Sequence, residues 1–244
     1  MLPRRAVLLA GLLFSLGCDS SRATKPAAPA GPRRETVEGI DVIELFPNGA
    51  DDASPLVVAI HGRGDDPDNW IDTWSKFPAR AEIVLPRGFD RFGSGWSWFD
   101  FRDGMTDEQF GAEVGAAEER LWRTVAKLAH GRRLVITGFS QGGFFAFAMA
   151  ARHPDEVAAA FPVSGSCPGP LLPKNKSRAA PIVAFHGTTD QVIEIKWARG
   201  AVNAFVEQGD KAVLHEYPNV GHTITSEMRR DLWNEIAKAV DQRP

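Results

Sequence analysis

Apolar strand-length runs alternating with amphipathic helical segments predict an α/β fold, a mostly parallel sheet with helices on both faces. Three observations carry that reading. Continuous apolar runs recur at Leu56–Ile60, Leu134–Thr137, Val157–Val163 and Ile182–His186, as strands buried on both faces read. Segments between several of them step their apolar residues by three and four, the helical period. Glycine follows directly where runs end, at His61-Gly62, Thr137-Gly138 and His186-Gly187. Right-handed crossovers would gather every strand-to-helix loop at one sheet edge, and functional groups are expected there.

The first residues stand apart from that pattern. Arg4-Arg5 supplies a positive segment, Ala6 to Leu16 an apolar stretch too short to span a bilayer, and Ser15-Leu16-Gly17-Cys18 a small-residue cleavage site. Residues 1–18 therefore read as an export signal. Cys18 resembles the lipid-carrying cysteine of a bacterial lipobox, although Ser15 stands where leucine is usual. An ordinary secretory peptide or an uncleaved anchor is the other reading, and Arg4-Arg5 also suits twin-arginine export. The expectation is an exported protein, held by its N-terminal lipid at the periplasmic face or in the outer membrane. Residues 19–35 are rich in Ser, Ala, Pro, Lys and Arg without apolar periodicity, the composition of a disordered tether. The folded domain is expected over 36–244.

Within that domain Thr36 to Leu45 alternates imperfectly and suits an antiparallel edge strand or hairpin. Leu56–Ile60 is the first buried strand, and Glu82–Leu85 the next, stopped by Pro86. Thr106 and Gln109 have the capping-box spacing. Phe110, Val114, Ala117, Leu121, Val125 and Leu128 then mark a long helix that Gly131 ends. Strand Leu134–Thr137 leads through a tight turn into a helix ending before Pro154. Strands Val157–Val163 and Ile182–His186 follow, then a helix from Ile195 to Gln208, strand Val213–Tyr217 and a last helix from Thr225 to Val240.

Composition narrows the function classes. A chain of 244 residues, 43% hydrophobic and 24% charged, suits one large globular domain. A net charge of −3 with scattered basic residues offers no patch for nucleic acid, and Arg229-Arg230 reads as a solvated helix face. Of the two cysteines, Cys18 is claimed by the signal, which leaves Cys167 unpaired. With no histidine near it in sequence, Cys167 reads as a passive thiol rather than a second nucleophile. Nothing in the sequence sets an oligomeric state.

The chemistry lies in Gly138-Phe139-Ser140-Gln141-Gly142-Gly143, a G-x-S-x-G turn between strand and helix. Such a turn is too tight for side chains at its flanks and lifts the serine hydroxyl above the sheet edge. Serine holds its proton too tightly to attack at neutral pH, so it needs a base and an acid that orients the base. Among six histidines, His130 and His153 end helices, where the dipole explains them, and His215 lies inside a strand. His61 and His186 end strands before glycine and read as shapers of the backbone. His222 occupies the last strand-to-helix loop, C-terminal to every acid candidate, and is the candidate base. Asp190, in the loop after Ile182–His186, is the candidate acid, with Glu194 as the alternative and a turn role also open to Asp190. The oxyanion needs two donors: the N–H of Gln141 and one from His61-Gly62-Arg63-Gly64, with that of Arg63 preferred.

Four motifs in order, H-G-R-G-D at 61–65, G-F-S-Q-G-G at 138–143, H-G-T-T-D at 186–190 and G-H-T-I at 221–224, resemble the phospholipase/carboxylesterase family of α/β-hydrolases. The resemblance covers Leu56 to Val240. It implies an α/β-hydrolase fold and hydrolysis of carboxylic esters, or of thioesters, without metal or organic cofactor. It also implies Ser140 as nucleophile, Asp190 and His222 as its partners, and Arg63 and Gln141 as oxyanion donors. The expected partner is a small-molecule or lipid-like ester. An exported N-terminus sets the chain apart from the cytosolic thioesterases of that family.

In the loop after Glu82–Leu85, Trp96 and Trp98 are candidate walls of an acyl pocket, or else pack the loop onto the domain. Phe144, Phe145 and Phe147 read as core. An exported polyester depolymerase or feruloyl-type esterase is a neighbouring reading. A serine peptidase would need loops or a domain for which the chain has little spare length. A lipoprotein binding module on a hydrolase scaffold is the non-enzymatic alternative, and it would be expected to lose Ser140, His222 or the acid.

Overall fold

The computed structural model describes residues 31–174 and 178–242. The export signal, Cys18 and the tether up to residue 30 lie outside the described residues. Strand β1 (Arg33–Val37) begins inside the segment read as tether. Antiparallel pairing with β2 (Ile40–Leu45) extends the ladder back to Arg33 opposite Glu44.

Strands β3 (Leu56–Ile60), β4 (Glu82–Pro86), β7 (Leu134–Phe139), β8 (Val157–Val163), β9 (Ile182–Gly187) and β10 (Ala212–Tyr217) complete an eight-stranded sheet of order β1-β2-β4-β3-β7-β8-β9-β10. From β4 to β10 all neighbours run parallel, while β2 meets β4 antiparallel. Helices α2 (Asp107–Ala129), α3 (Gln141–Arg152) and α4 (Ile195–Glu207) cover one face. The short α1 (Ile71–Trp74) and α5 (Ser226–Asp241) cover the other. The alternation of β3 shows why two faces exist. Leu56, Val58 and Ile60 enter the core with Val114, Phe145 and Phe205, while Val57 and Ala59 enter the core with Trp74, Phe77 and Ile236.

The predicted cap of α2 forms in both directions: Thr106 accepts from the Gln109 N–H, and the Gln109 side chain accepts from the Thr106 N–H. Two elements escape periodicity. Helix α1 is only four residues long, and the hairpin of β5 (Asp90–Phe92) and β6 (Gly95–Ser97) has three residues a strand, each too short to repeat a pattern.

The parallel register aligns the strand ends. Ile60 pairs with Gly138, Phe139 with Val163, Val163 with Phe185, and Gly187 with Tyr217. The loops bearing Arg63, Ser140, Asp190 and His222 therefore leave the same edge.

Candidate active site

Ser140 sits between β7 and α3 at φ 55° and ψ −112°, a conformation that costs a non-glycine residue about 1–3 kcal/mol. The glycines around it make this turn possible. A Cβ on Gly142 would lie 2.1 Å from the Ile60 carbonyl oxygen, and one on Gly138 would lie 2.3 Å from that of Gly142. Both obstacles are backbone, which no rotamer change relieves. Gly142→Ala is accordingly expected to cost on the order of 3 kcal/mol, read as a lower urea midpoint at unchanged m-value. The Ser140 N–H donates to the Val163 carbonyl at 3.0 Å, tying the turn to the neighbouring strand.

The structure brings the candidate base and acid together. His222 Nδ1 lies 2.7 Å from Asp190 Oδ2, and Asp190 Oδ1 accepts from the N–H groups of Val192 and Ile193, both at 2.9 Å. Burial is the largest influence on the Asp190 carboxyl and pushes its pKa up. The hydrogen bonds from His222 and the loop N–H groups outweigh it and hold the carboxyl below the ordinary carboxylate value. With Asp190 ionised, Nδ1 is the protonated nitrogen and Nε2 is free to accept. The two loops are stitched together. Thr188 N–H donates to Tyr217 O and Thr189 N–H to Val220 O, while Gly187 lets the Val220 carbonyl approach to where its Cβ would stand. The His222 ring packs 4.8 Å from that of Phe139, the residue preceding Ser140. Glu194, the alternative acid, is exposed and paired with Lys196 instead.

Gln141 is the first residue of α3, where geometry leaves the N–H without an intrahelical acceptor. Gly62 presses on the serine turn, its would-be Cβ 3.1 Å from Phe139 Cδ1 and 3.2 Å from Ser140 Cβ. The Asp65 N–H closes that loop on the Gly62 carbonyl at 3.3 Å. Sequence reasoning used only the Gln141 N–H. Its buried side chain also works, accepting from the Trp98 N–H at 2.9 Å and donating to the Phe99 carbonyl at 2.8 Å.

The expectation that Trp96 and Trp98 wall an acyl pocket is corrected here. Trp98 is 1% exposed, its Nε1 donates to the His61 carbonyl, and its ring packs against His61, Phe89 and Phe145. Trp96 donates from Nε1 to Asp66 at 3.0 Å and lies between the guanidinium groups of Arg87 and Arg91. Its backbone clasps the 61–65 loop, accepting from Gly64 N–H and donating to Asp65 O. Both tryptophans brace the 61–65 loop. The amphipathic character of indole, an apolar body with one donor, suits both roles, so composition alone could not choose.

His61 and His186 prove to be buried backbone holders. His61 donates from Nδ1 to the Gly62 carbonyl and accepts from the Gly88 N–H at Nε2, while His186 donates from Nε2 to the Ile193 carbonyl and so steadies the Asp190 loop. Burial, the largest influence, depresses both below the ordinary value near 6.5, against the upward pull of those carbonyls. Above that value the folded and unfolded chains are both neutral at these rings. Below it the unfolded chain takes up protons first, so stability falls with pH until the depressed folded value is reached. Urea unfolding is expected to show stability falling as pH drops below about 6.5, by at most about 1.4 kcal/mol per pH unit for each histidine. His61→Gln should remove one share of it. Cys167 is buried, and burial pushes its thiol far up, as a passive thiol requires.

A cavity of about 360 Å³ opens beside His222, lined by Trp70, Phe139, Leu232 and Trp233 among others. Among the described residues no group of three His, Cys, Asp or Glu side chains is placed to hold a metal ion.

A parallel sheet with a strained serine between strand and helix, and an Asp–His pair at the same edge, defines an α/β-hydrolase. The chain belongs to the phospholipase/carboxylesterase family, whose model matches residues 43–240. That family is one of serine hydrolases acting on carboxylic esters. The chain is 27% identical over 181 residues to the bifunctional acetylxylan esterase/xylanase XynS20E of Neocallimastix patriciarum, which covers 72% of this chain and 25% of that protein. It is 26% identical over 140 residues to acyl-protein thioesterase 1 homolog 2 of Dictyostelium discoideum, covering 55% of this chain and 63% of that one. The chain thus spans less than two thirds of the length of these curated relatives. The crystal structure of esterase PE8 shares the fold at a TM-score of 0.68 and 24% identity, over 80% of this chain and 97% of that one.

Proposed function

We propose that this chain hydrolyses carboxylic esters through an acyl-enzyme on Ser140. The observation that carries the proposal is the 2.7 Å hydrogen bond from His222 to ionised Asp190 at the edge where the strained Ser140 turn emerges. His222 Nε2 takes the hydroxyl proton as Ser140 Oγ bonds to the ester carbonyl carbon. The negative charge that develops on the carbonyl oxygen is met by the N–H groups of Arg63 and Gln141. When the carbonyl reforms, the bond to the alcohol oxygen breaks and that oxygen leaves with the proton held by His222. Water then adds to the acyl-enzyme, giving its proton to His222, and the acid departs as Ser140 recovers a proton. Asp190 holds the imidazole tautomer throughout and stabilises the imidazolium.

The name of the acetylxylan esterase relative favours a small acyl group on a carbohydrate alcohol, and an exported protein would meet such polymers. We propose that export proceeds through residues 1–18, with lipid on Cys18. The test is hydrolysis of p-nitrophenyl esters from acetate to palmitate by the domain starting at residue 31, with fluorophosphonate labelling of Ser140. Turnover with labelling supports a serine esterase, and the chain-length profile sizes the acyl site. A folded domain that neither turns over any ester nor labels would leave the binding-module reading in front.

A further inference from the structure

Trp70, Phe139 and Trp233 do not belong to the catalytic constellation, yet they wall the cavity that touches it. That cavity, about 360 Å³, is within the size range of small-ligand sites. It is bordered by His222 and by Gly138 and Phe139, which lead into the serine turn, and its lining includes none of Ser140, Arg63 and Gln141. This placement decides which half of an ester it would receive. The carbonyl oxygen must point to the oxyanion donors, while the leaving oxygen must face the imidazole that protonates it. A cleft on the imidazole side, away from the donors, lies where the alcohol half goes.

We infer that this cleft is the alcohol-side subsite, and that it takes alcohols carrying a ring with a flat apolar face, aryl or pyranosyl. The inference rests on the esterase reading of Ser140 and His222. Trp70 is a fixed platform: its Nε1 donates to Asp65 at 2.6 Å, and among the described residues no other aromatic ring or cation stacks on it. Trp233 is half-buried and held edge-on by Phe77, with ring centroids 6.0 Å apart at 88°, and the Arg229 guanidinium lies over its ring 5.7 Å from the centroid. Polar groups stand at the rim, with Asn69 and Thr223 exposed and Thr73 half-buried. Flat indoles within and hydroxyl or amide groups at the rim suit a ring whose faces are apolar and whose edge substituents are polar. A linear acyl chain could pack on the indoles but would make no use of the polar rim.

Two variants test this. Trp233→Leu removes one wall, and Thr73→Trp fills the cleft from its rim should the first fail to fold. Each ester is compared with itself across variants, which cancels differences in intrinsic reactivity. The kcat/KM for phenyl acetate or for acetylated methyl xyloside is expected to fall roughly tenfold, with ethyl acetate within about twofold. The acyl profile of ethyl esters from acetate to octanoate should not move. Loss confined to the phenyl or to the xyloside ester identifies which ring the cleft prefers. An equal loss on all acetates, or a shifted acyl profile, overturns the inference. Binding of phenol and of methyl xyloside to the Ser140→Ala protein, followed by ligand-detected NMR, separates the two failures. If neither binds, the cleft assignment fails whatever the hydrolysis gives. Binding sensitive to Thr73→Trp, in a protein that turns over no ester, overturns the esterase reading and leaves the ring site standing.

Discussion

Ser140→Ala is expected to lower kcat for ester hydrolysis by roughly 10⁵ to 10⁶, leaving only what the oxyanion donors and binding supply. Fluorophosphonate labelling should disappear with it. The fold should not change. The turn is held by the Ser140 N–H to the Val163 carbonyl and by the close approach of Gly142 to Ile60, neither of which uses the hydroxyl. Alanine also meets the positive φ of 55° with the same Cβ as serine, so the backbone strain is the same in both. Stopped-assay turnover and the urea midpoint, measured on one preparation, separate loss of chemistry from loss of structure. Residual turnover within a hundredfold of wild type would place the nucleophile elsewhere.

Asp190→Asn is expected to cost about 10⁴ in kcat at neutral pH, through the imidazole tautomer rather than through misfolding. An asparagine oxygen can still accept from the Val192 and Ile193 N–H groups, which now bond Asp190 Oδ1 at 2.9 Å. Its amide then faces His222 Nδ1 where a carboxylate oxygen now lies at 2.7 Å. An amide donates there, so Nδ1 must accept and the ring proton moves to Nε2, the nitrogen that has to receive the serine proton. The carboxyl is ionised because its folded pKa is depressed, so the stability it contributes is present above the unfolded carboxyl value. That stability is lost as pH falls through the folded one. In Asp190→Asn the acid limb of the stability profile should flatten, which urea midpoints across the acid range would show. A variant with near wild-type kcat would remove Asp190 from the mechanism.

Much of this site is legible in the chain because its signals are local. The turn from Gly138 to Gly143 needs glycine where the structure puts backbone 2.1 to 2.3 Å from a would-be Cβ, a demand written in consecutive residues. His222 and Asp190 could be chosen because strand order fixes which loops share an edge, and the register places both loops there. The boundary at β1 was less legible, since Arg33 and Glu35 enter a strand only through pairing with β2. Trp96 and Trp98 were less legible still. Two residues apart, they share a side-chain chemistry, yet one is sealed against His61, Phe89 and Phe145 while the other lies between two arginines.

The sequence by itself determined the α/β architecture, the glycine-flanked serine turn and which loops could share its edge, because periodicity and tight turns are properties of neighbouring residues. Only the tertiary structure decided that the tryptophans of the 88–99 loop brace the 61–65 loop while Trp70 and Trp233 line the cleft beside His222. Those contacts join residues dozens of positions apart, and which face of an indole is covered depends on what the rest of the chain brings against it.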